Sequence, residues 1–338
     1  MDKQLSVAII GAGRIAGGYD MDKIDGDPGT YTHAGAYKKD GRFLLKKICD
    51  TDAERAGLFL KQWDVETAIT DLNEIYSDYH DVVSVCTPDA THFEIVSNII
   101  KHKAAKTLFV EKPLALCEDE MLEIIRCTGE NDINVVVNFQ RRFDESHERL
   151  RKIVEDESGK LLAVNAYYIK GLEHIGITVI DTITYLCGVP RSVYAYNRVF
   201  NRQVNDYTYE FILFFDSYNV TVKTIDTELA EYNYHIFEID MLFSDKRITV
   251  NDNSRTIETR VVGNYAYSGV RALDDRHPVY EESGYRLSML NVVDYIYDIS
   301  IGSKDHTKNT PEHSYLNMSV LKAVKLSYEK NSKVEVWR

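Results

Sequence analysis

The chain has 338 residues, more than one hydrophobic core tends to hold, so two domains are expected. With 44% hydrophobic residues, 53 acidic against 40 basic side chains and a net charge of -13, it reads as globular, and nucleic acid or an anionic membrane is excluded as a partner. No apolar run reaches the ~18–20 residues that span a bilayer, no secretory signal opens the chain, and five scattered cysteines without C-x-x-C spacing fit reduced thiols; a cytoplasmic protein with no metal site is expected.

Ser6–Ile10 reads as a buried parallel strand, and Gly11-Ala12-Gly13-Arg14-Ile15-Ala16 follows it at once. Gly11 permits a sharp turn, Gly13 leaves room for a pyrophosphate to approach the backbone, and Ala16 lets the next helix pack closely. The helix start offers free N–H groups and a partial positive charge. A strand–turn–helix with no ligand is the alternative. Gly17–Thr32 is loop chemistry, read as an insertion in the first βα unit, before a helix resumes near His33. Tyr19, Asp20 and Thr32 in it could cover the nicotinamide end of a cofactor or stand in a solvated loop.

Phe43–Cys49 is the second strand, ending at Asp50. An acidic residue there takes the adenosine ribose hydroxyls of a dinucleotide and repels a 2′-phosphate, so NAD is favoured over NADP. A second reading of Asp50, which can coexist with the first, is the N-cap of a helix over Thr51–Lys61. Alternation continues with a helix Ala53–Gln62, strand Val82–Cys86, helix Ala90–His102, strand Thr107–Val110, helix Asp119–Thr128 and strand Asn134–Asn138. Strands alternating with amphipathic helices give βαβ units and a mostly parallel sheet. The glycine turn, Asp50, Thr87-Pro88 and Glu111-Lys112-Pro113 all fall at carboxyl ends of strands, where such sheets bind ligands.

After a charged helix Asp144–Glu157, a strand Leu161–Ile169 and a helix Gly176–Cys187 come long strands at Ser192–Phe200, Tyr207–Phe215, Asn219–Asp226, Tyr234–Phe243 and Arg247–Asn251. This is an α+β domain with an open antiparallel sheet. Glu281–Ile301 and Glu312–Glu329 are closing helices, the last of which could pack back on the first domain. The domains are placed at 1–125 and 126–338. His235 on its strand reads as a sheet residue.

The set Gly11–Ala16, Thr87-Pro88-Asp-Ala-Thr-His92, Glu111-Lys112-Pro113 and Asn138-Phe-Gln-Arg-Arg142-Phe143 resembles the glucose–fructose oxidoreductase / inositol dehydrogenase / MocA (Gfo/Idh/MocA) family. The resemblance implies a Rossmann domain followed by an open, predominantly antiparallel sheet, bound NAD(P), and a sugar, polyol or nucleotide-linked sugar as substrate. It places Gly11, Ala12, Gly13, Arg14, Ile15, Asp50, Thr87, Pro88, His92, Glu111 and Lys112 at the cofactor, and Lys112, His174, Thr178 and Asp181 at the substrate. Arg141 and Arg142 could bind a phosphate or carboxylate of the substrate bidentately, Arg142 being the one assigned to it, with an ordinary surface or interdomain ion pair as the alternative for one of them. Lys112 is the expected catalyst: hydride transfer at a carbinol carbon requires a proton to move on the oxygen, and a lysine beside a cationic ring has a lowered pKa suited to that. A cis Lys112–Pro113 peptide is implied by the resemblance.

The stretch His174-Ile-Gly176-Ile-Thr178-Val-Ile-Asp181 departs from the family's D-x-G-x-H-x-x-D. Gly176 and Asp181 match, but His174 stands at the family aspartate and Thr178 at the family histidine. Lys170-Gly171-Leu-Glu-His174 is similar to the K-G-x-x-H of sugar-modifying branches, which makes His174 the second catalytic candidate. Thr178 cannot titrate near neutrality, so a non-catalytic sensor or scaffold that binds a dinucleotide is the alternative. An open sheet with one face uncovered predicts a homodimer or homotetramer.

Overall fold

A computed structural model describes residues 3–225, 237–251, 254–264 and 269–336. Asp226, Tyr234, His235 and the Asp252-Asn253 turn lie outside them. The chain divides into two compact units: Met1–Phe143 with Arg286–Tyr315, and Asp144–Tyr285 with Leu316–Arg338.

The first unit is built on six parallel strands: β1 (Leu5–Ile10), β2 (Phe43–Cys49), β3 (Thr67–Ile69), β4 (His80–Val85), β5 (Ala105–Val110) and β6 (Asn134–Val137). Their spatial order is β3-β2-β1-β4-β5-β6. β1 lies between β2 and β4, so the order reverses there and a crevice opens beyond the carboxyl ends of β1 and β4. β1, β4 and β5 are buried at nearly every position, as strands covered on both faces must be. The divide falls at Phe143 rather than near 125 because β6 pairs in register with β5 and completes this sheet. The helix Ser288–Ser300 also belongs here: Met289, Val292, Val293 and Ile296 are fully buried in one core with Leu5, Val7, Leu45 and Val82. It is therefore the penultimate long helix, not the last, that returns whole to the first unit. Only the first turn of Pro311–Lys330 lies in that unit.

The second unit holds the other sheet: β7 (Leu161–Tyr168), β8 (Ser192–Asn201), β9 (Asp206–Phe214), β10 (Asn219–Thr224), β11 (Phe237–Phe243), β12 (Lys246–Asn251), β13 (Thr256–Asn264), β14 (Arg271–Leu273), β15 (Val279–Glu282) and β16 (Val334–Glu335). The order is β14-β13-β12-β11-β7-β10-β9-β8-β16, with β15 also on β13. Pairing is antiparallel except between β7 and β10. Inward side chains such as Val164, Ala166, Phe211, Leu213, Val220, Val222, Ile239 and Met241 are fully buried. The outward residues are mixed, not the large apolar patch that the alternation suggests: Glu210, Ile212, Phe214, Asp240 and Arg247 are half-buried, and Arg247 grips Asp240 through Nε and Nη2 at 2.7 and 2.8 Å.

Candidate active site

Gly11 adopts φ +90° directly after β1, and a Cβ there would meet the carbonyl oxygen of Cys86 at 2.7 Å. Glycine alone allows both the backbone turn and the close approach of the strand end next door. At Gly13 a Cβ would meet nothing within 4 Å. That open space above the backbone is what a phosphate group needs, and the residues present fit a dinucleotide. Arg14–Gly18 then forms a single π turn. Ala16 is buried as expected, but the tightest packing is at Gly17, where a Cβ would collide with the Trp63 indole and Phe59. Arg14 lies exposed, stacked on Tyr19 and paired with Asp22 at 3.3 Å.

Two carboxylates, Asp20 and Asp27, tie the insertion together; Asp27 accepts from the Gly29 N–H and the Tyr31 hydroxyl. Asp20 accepts hydrogen bonds from the N–H groups of Tyr31 and Thr32 and from the Thr32 hydroxyl. Thr32 in turn caps the helix His33–Asp40, accepting from the Gly35 N–H at 3.1 Å. Asp20 and Thr32 are thus structural clamps of the insertion.

Asp50 ends β2 and is buried. Its Oδ2 accepts from the Ala12 N–H at 2.8 Å, and its Oδ1 from the Asp52 N–H at 2.9 Å. The helix cap is Asp52, which accepts from the Glu54 and Arg55 N–H groups, so the N-cap reading of Asp50 is overturned. Asp50 instead ties the end of β2 to the glycine turn, with Arg55 at 3.6 Å. A carboxylate has about four acceptor positions, which leaves capacity for ribose hydroxyls.

Two further strand ends complete the first unit's site. Thr87 and Pro88 follow β4, and Glu111, Lys112 and Pro113 follow β5, with a cis peptide at Lys112–Pro113. His92, fully buried, sets Nδ1 2.7 Å from the Pro113 carbonyl and Nε2 2.9 Å from the Thr87 carbonyl. Its ring thereby laces the two turns together and turns both nitrogens to the backbone.

Glu111 is the centre of a network that sequence reasoning missed. Its Oε1 receives the Asn138 amide at 2.6 Å and His33 Nε2 at 3.0 Å. His33 Nδ1 lies 3.1 Å from Ser84 Oγ, which lies 2.9 Å from the Tyr37 hydroxyl. Burial pushes the Glu111 carboxyl up, but the His33 and Asn138 hydrogen bonds and the Lys112 charge hold it below the usual carboxylate range. Lys112 is held below the ordinary lysine value, mainly by burial and also by Arg141, against the opposing pull of Glu111 and Asp89. Arg141 and Arg142 are both buried in the turn Gln140–Phe143.

In the second unit, Gly171–Gly176 is another single π turn, entered through Lys170 at φ 64° and Gly171 at φ 80°. Such turns concentrate at functional sites. The turn is pinned by the Glu173 N–H donating to Asp206 at 2.7 Å and the Gly171 N–H donating to Thr208 at 2.8 Å. It leaves His174 exposed and runs into the helix Ile177–Cys187, where Thr178 is half-buried. Asp181 is fully buried; its Oδ1 accepts the Asn317 amide at 2.7 Å, and Asn317 accepts the Thr184 hydroxyl at 2.8 Å. Among the described residues no group of three His, Cys, Asp or Glu side chains is placed to hold a metal ion, and no helix is long and apolar enough to cross a membrane.

Residues 5–139 match the oxidoreductase family described as having an NAD-binding Rossmann fold. Through this stretch the chain is similar to the Gfo/Idh/MocA oxidoreductase family. Its first unit carries an NAD-binding Rossmann fold. Myo-inositol 2-dehydrogenase of Thermotoga maritima is 32% identical over 153 residues, 45% of this chain and 41% of that protein. An inositol 2-dehydrogenase of Rhizobium meliloti is 26% identical over 148 residues, 44% of this chain and 40% of that protein. The alignments thus span less than half the length of these curated relatives. Over whole chains the fold is shared with levoglucosan dehydrogenase in complex with NADH and levoglucosan (TM-score 0.79, 19% identity, 99% of this chain and 100% of that one). It is shared equally with an NAD-binding oxidoreductase of Klebsiella pneumoniae (TM-score 0.78, 16% identity, 99% of both chains).

Proposed function

We propose that the protein is an NAD-dependent dehydrogenase or reductase of a sugar, polyol or nucleotide-linked sugar, with Lys112 as the proton-transfer residue. The observation that carries this is Lys112 itself: a half-buried amine with a lowered proton affinity, at a strand end in the same row as the glycine turn and Asp50. Gly11–Ile15 would take the pyrophosphate and Asp50 the adenosine ribose; NAD bound there supplies the hydride acceptor or donor. When a carbinol is oxidised, the neutral Lys112 amine removes the hydroxyl proton as the hydride leaves the carbon. In the reverse direction its ammonium returns that proton to the forming alkoxide.

His174, exposed on its π turn, is assigned as a substrate ligand and second titrating group, and Thr178 as a hydrogen-bond donor. Arg142 is assigned to an anionic group of the substrate, and Asp181 to holding the helix that carries Thr178. A polyhydroxylated ring as substrate is supported by the relative named for myo-inositol and the structural neighbour bound to levoglucosan. We further propose a cytoplasmic homo-oligomer assembled through the outward face of the second sheet.

The second reading, a dinucleotide-binding sensor or scaffold without turnover, is favoured by Thr178 alone. One experiment separates the two. The protein is titrated with NAD and with NADP by calorimetry, then assayed with inositols, anhydrosugars and nucleotide sugars by the absorbance of reduced nicotinamide. Tighter NAD binding with turnover supports the enzyme. NAD binding with no turnover on any of them supports the sensor, and tighter NADP binding removes the role given to Asp50.

A further inference from the structure

The buried network around Glu111 can be assigned as a directional chain. With His33 neutral and its proton on Nε2, the Tyr37 hydroxyl donates to Ser84 Oγ, the Ser84 hydroxyl donates to His33 Nδ1, and His33 Nε2–H donates to Glu111 Oε1. Every donor then has an acceptor, and all the hydrogens point toward one carboxylate. His33 and Ser84 are 0% exposed, so the chain is sealed from water at that end. In such surroundings a hydrogen bond to a charged acceptor is stronger than in solvent. Tyr37 is itself pushed far above the ordinary tyrosine range by burial, so it remains a donor and does not ionise.

We propose that His33 is a positioning residue for Lys112, acting through Glu111. His33 fixes the Glu111 carboxylate at the end of β5, and the fixed negative charge sets the proton affinity of the neighbouring amine. The proposal rests on Lys112 being the proton-transfer residue. The charged groups acting on Lys112 are Glu111 from the same strand end, Asp89 after β4 and Arg141 after β6. Those acting on Glu111 are the Lys112 charge and, as hydrogen-bond donors, His33 and Asn138. Glu111 is the first of the groups that favour the ammonium, and His33 is the first of those that hold Glu111 charged. Burial alone would carry the amine lower. The His33–Glu111 pair limits that fall, leaving an amine that can both accept and return a proton.

The test needs no substrate. Competitive labelling of the full-length protein with trace acetic anhydride across a pH series, read at Lys112 by mass spectrometry, gives the titration midpoint of that amine. Glu111→Gln should move the midpoint down by roughly one pH unit, the size of a lost close charge partner. His33→Leu should move it the same way by less, and His33→Gln, which keeps an N–H donor, should restore most of it. The double variant His33→Leu with Glu111→Gln should match Glu111→Gln alone, because His33 acts only through the carboxylate. Thermal unfolding identifies any variant that fails to fold, and Glu111→Gln, which keeps its volume and its place among hydrogen-bond partners, stands in for one that does. Unchanged midpoints in the folded single variants, or additive shifts in the double variant, would overturn the proposal. A missing dehydrogenase activity would count against the proposed function and leave these midpoints to decide the positioning role.

Discussion

At the residue scale the proposed chemistry converges on Lys112. Replacing it with alanine should lower kcat by ~10²–10⁴, the usual worth of a positioned acid–base group, while calorimetry should show NAD binding little changed. Because burial depresses the Lys112 value, the neutral amine forms at lower pH than in a free lysine. Oxidation should therefore rise with pH along a limb centred below the ordinary ~10.4, and that limb should vanish in Lys112→Ala. His174 makes a separate prediction. As a second titrating group it should add a limb to the pH–rate profile of the wild type that is absent in His174→Ala. Lys112 and Asp50 were legible in the sequence because each closes an apolar strand, where the local pattern alone fixes its place. Partner choices were less legible. Asp50 and Asp52 are both well sited for capping, and only the backbone shows that Asp52 takes the helix while Asp50 takes Ala12. The His33–Glu111 contact joins residues 78 positions apart through a helix start that opens after an insertion, and nothing periodic in the sequence announces it.

At the element scale the glycine turn separates folding from binding. Gly11→Ala must place a side chain at positive φ and against the Cys86 carbonyl, so it should destabilise the protein by about 1–3 kcal/mol in denaturant unfolding. Gly13→Ala meets nothing in the protein, so unfolding should be nearly unchanged while NAD affinity falls, because the added methyl stands where the phosphate would approach. Equal losses of stability in the two variants would contradict this division of roles. The order of elements was readable because the first half alternates strongly apolar strands with amphipathic helices. The strands β9 and β10 were readable because alternate residues such as Phe211, Leu213, Val220 and Val222 form an apolar inner face. β13 to β15 were not: Thr256–Asn264 has few buried side chains, so neither period stands out. The π turn holding His174 was also invisible, since it is made by Gly171 at positive φ and a hydrogen bond from Glu173 to a residue on another strand.

For the whole molecule, the first unit is completed by chain from far downstream. The helix Ser288–Ser300 fills its core with Met289, Val292, Val293 and Ile296, which periodicity marks as a buried face but does not assign to a sheet. Truncation before Ser288 should therefore unfold the dinucleotide-binding unit, not merely trim the second one, and circular dichroism with NAD titration would show it. Assembly is argued from the second sheet, whose outward face mixes Ile212 and Phe214 with paired charges such as Arg247–Asp240. Light scattering at micromolar concentration should give a dimer or tetramer, and Asp240→Lys, which sets like charges against each other across that face, should shift the mass toward monomer; a monomeric wild type would refute the interface. The central claim is hydride transfer on a polyhydroxylated substrate with the proton carried by Lys112. It is tested most directly by following reduced nicotinamide for wild type and Lys112→Ala side by side, with NAD and the same inositol and sugar set. The account predicts turnover in the wild type that falls by ~10²–10⁴ in the variant at matched NAD occupancy, and turnover of equal rate in both proteins would contradict it.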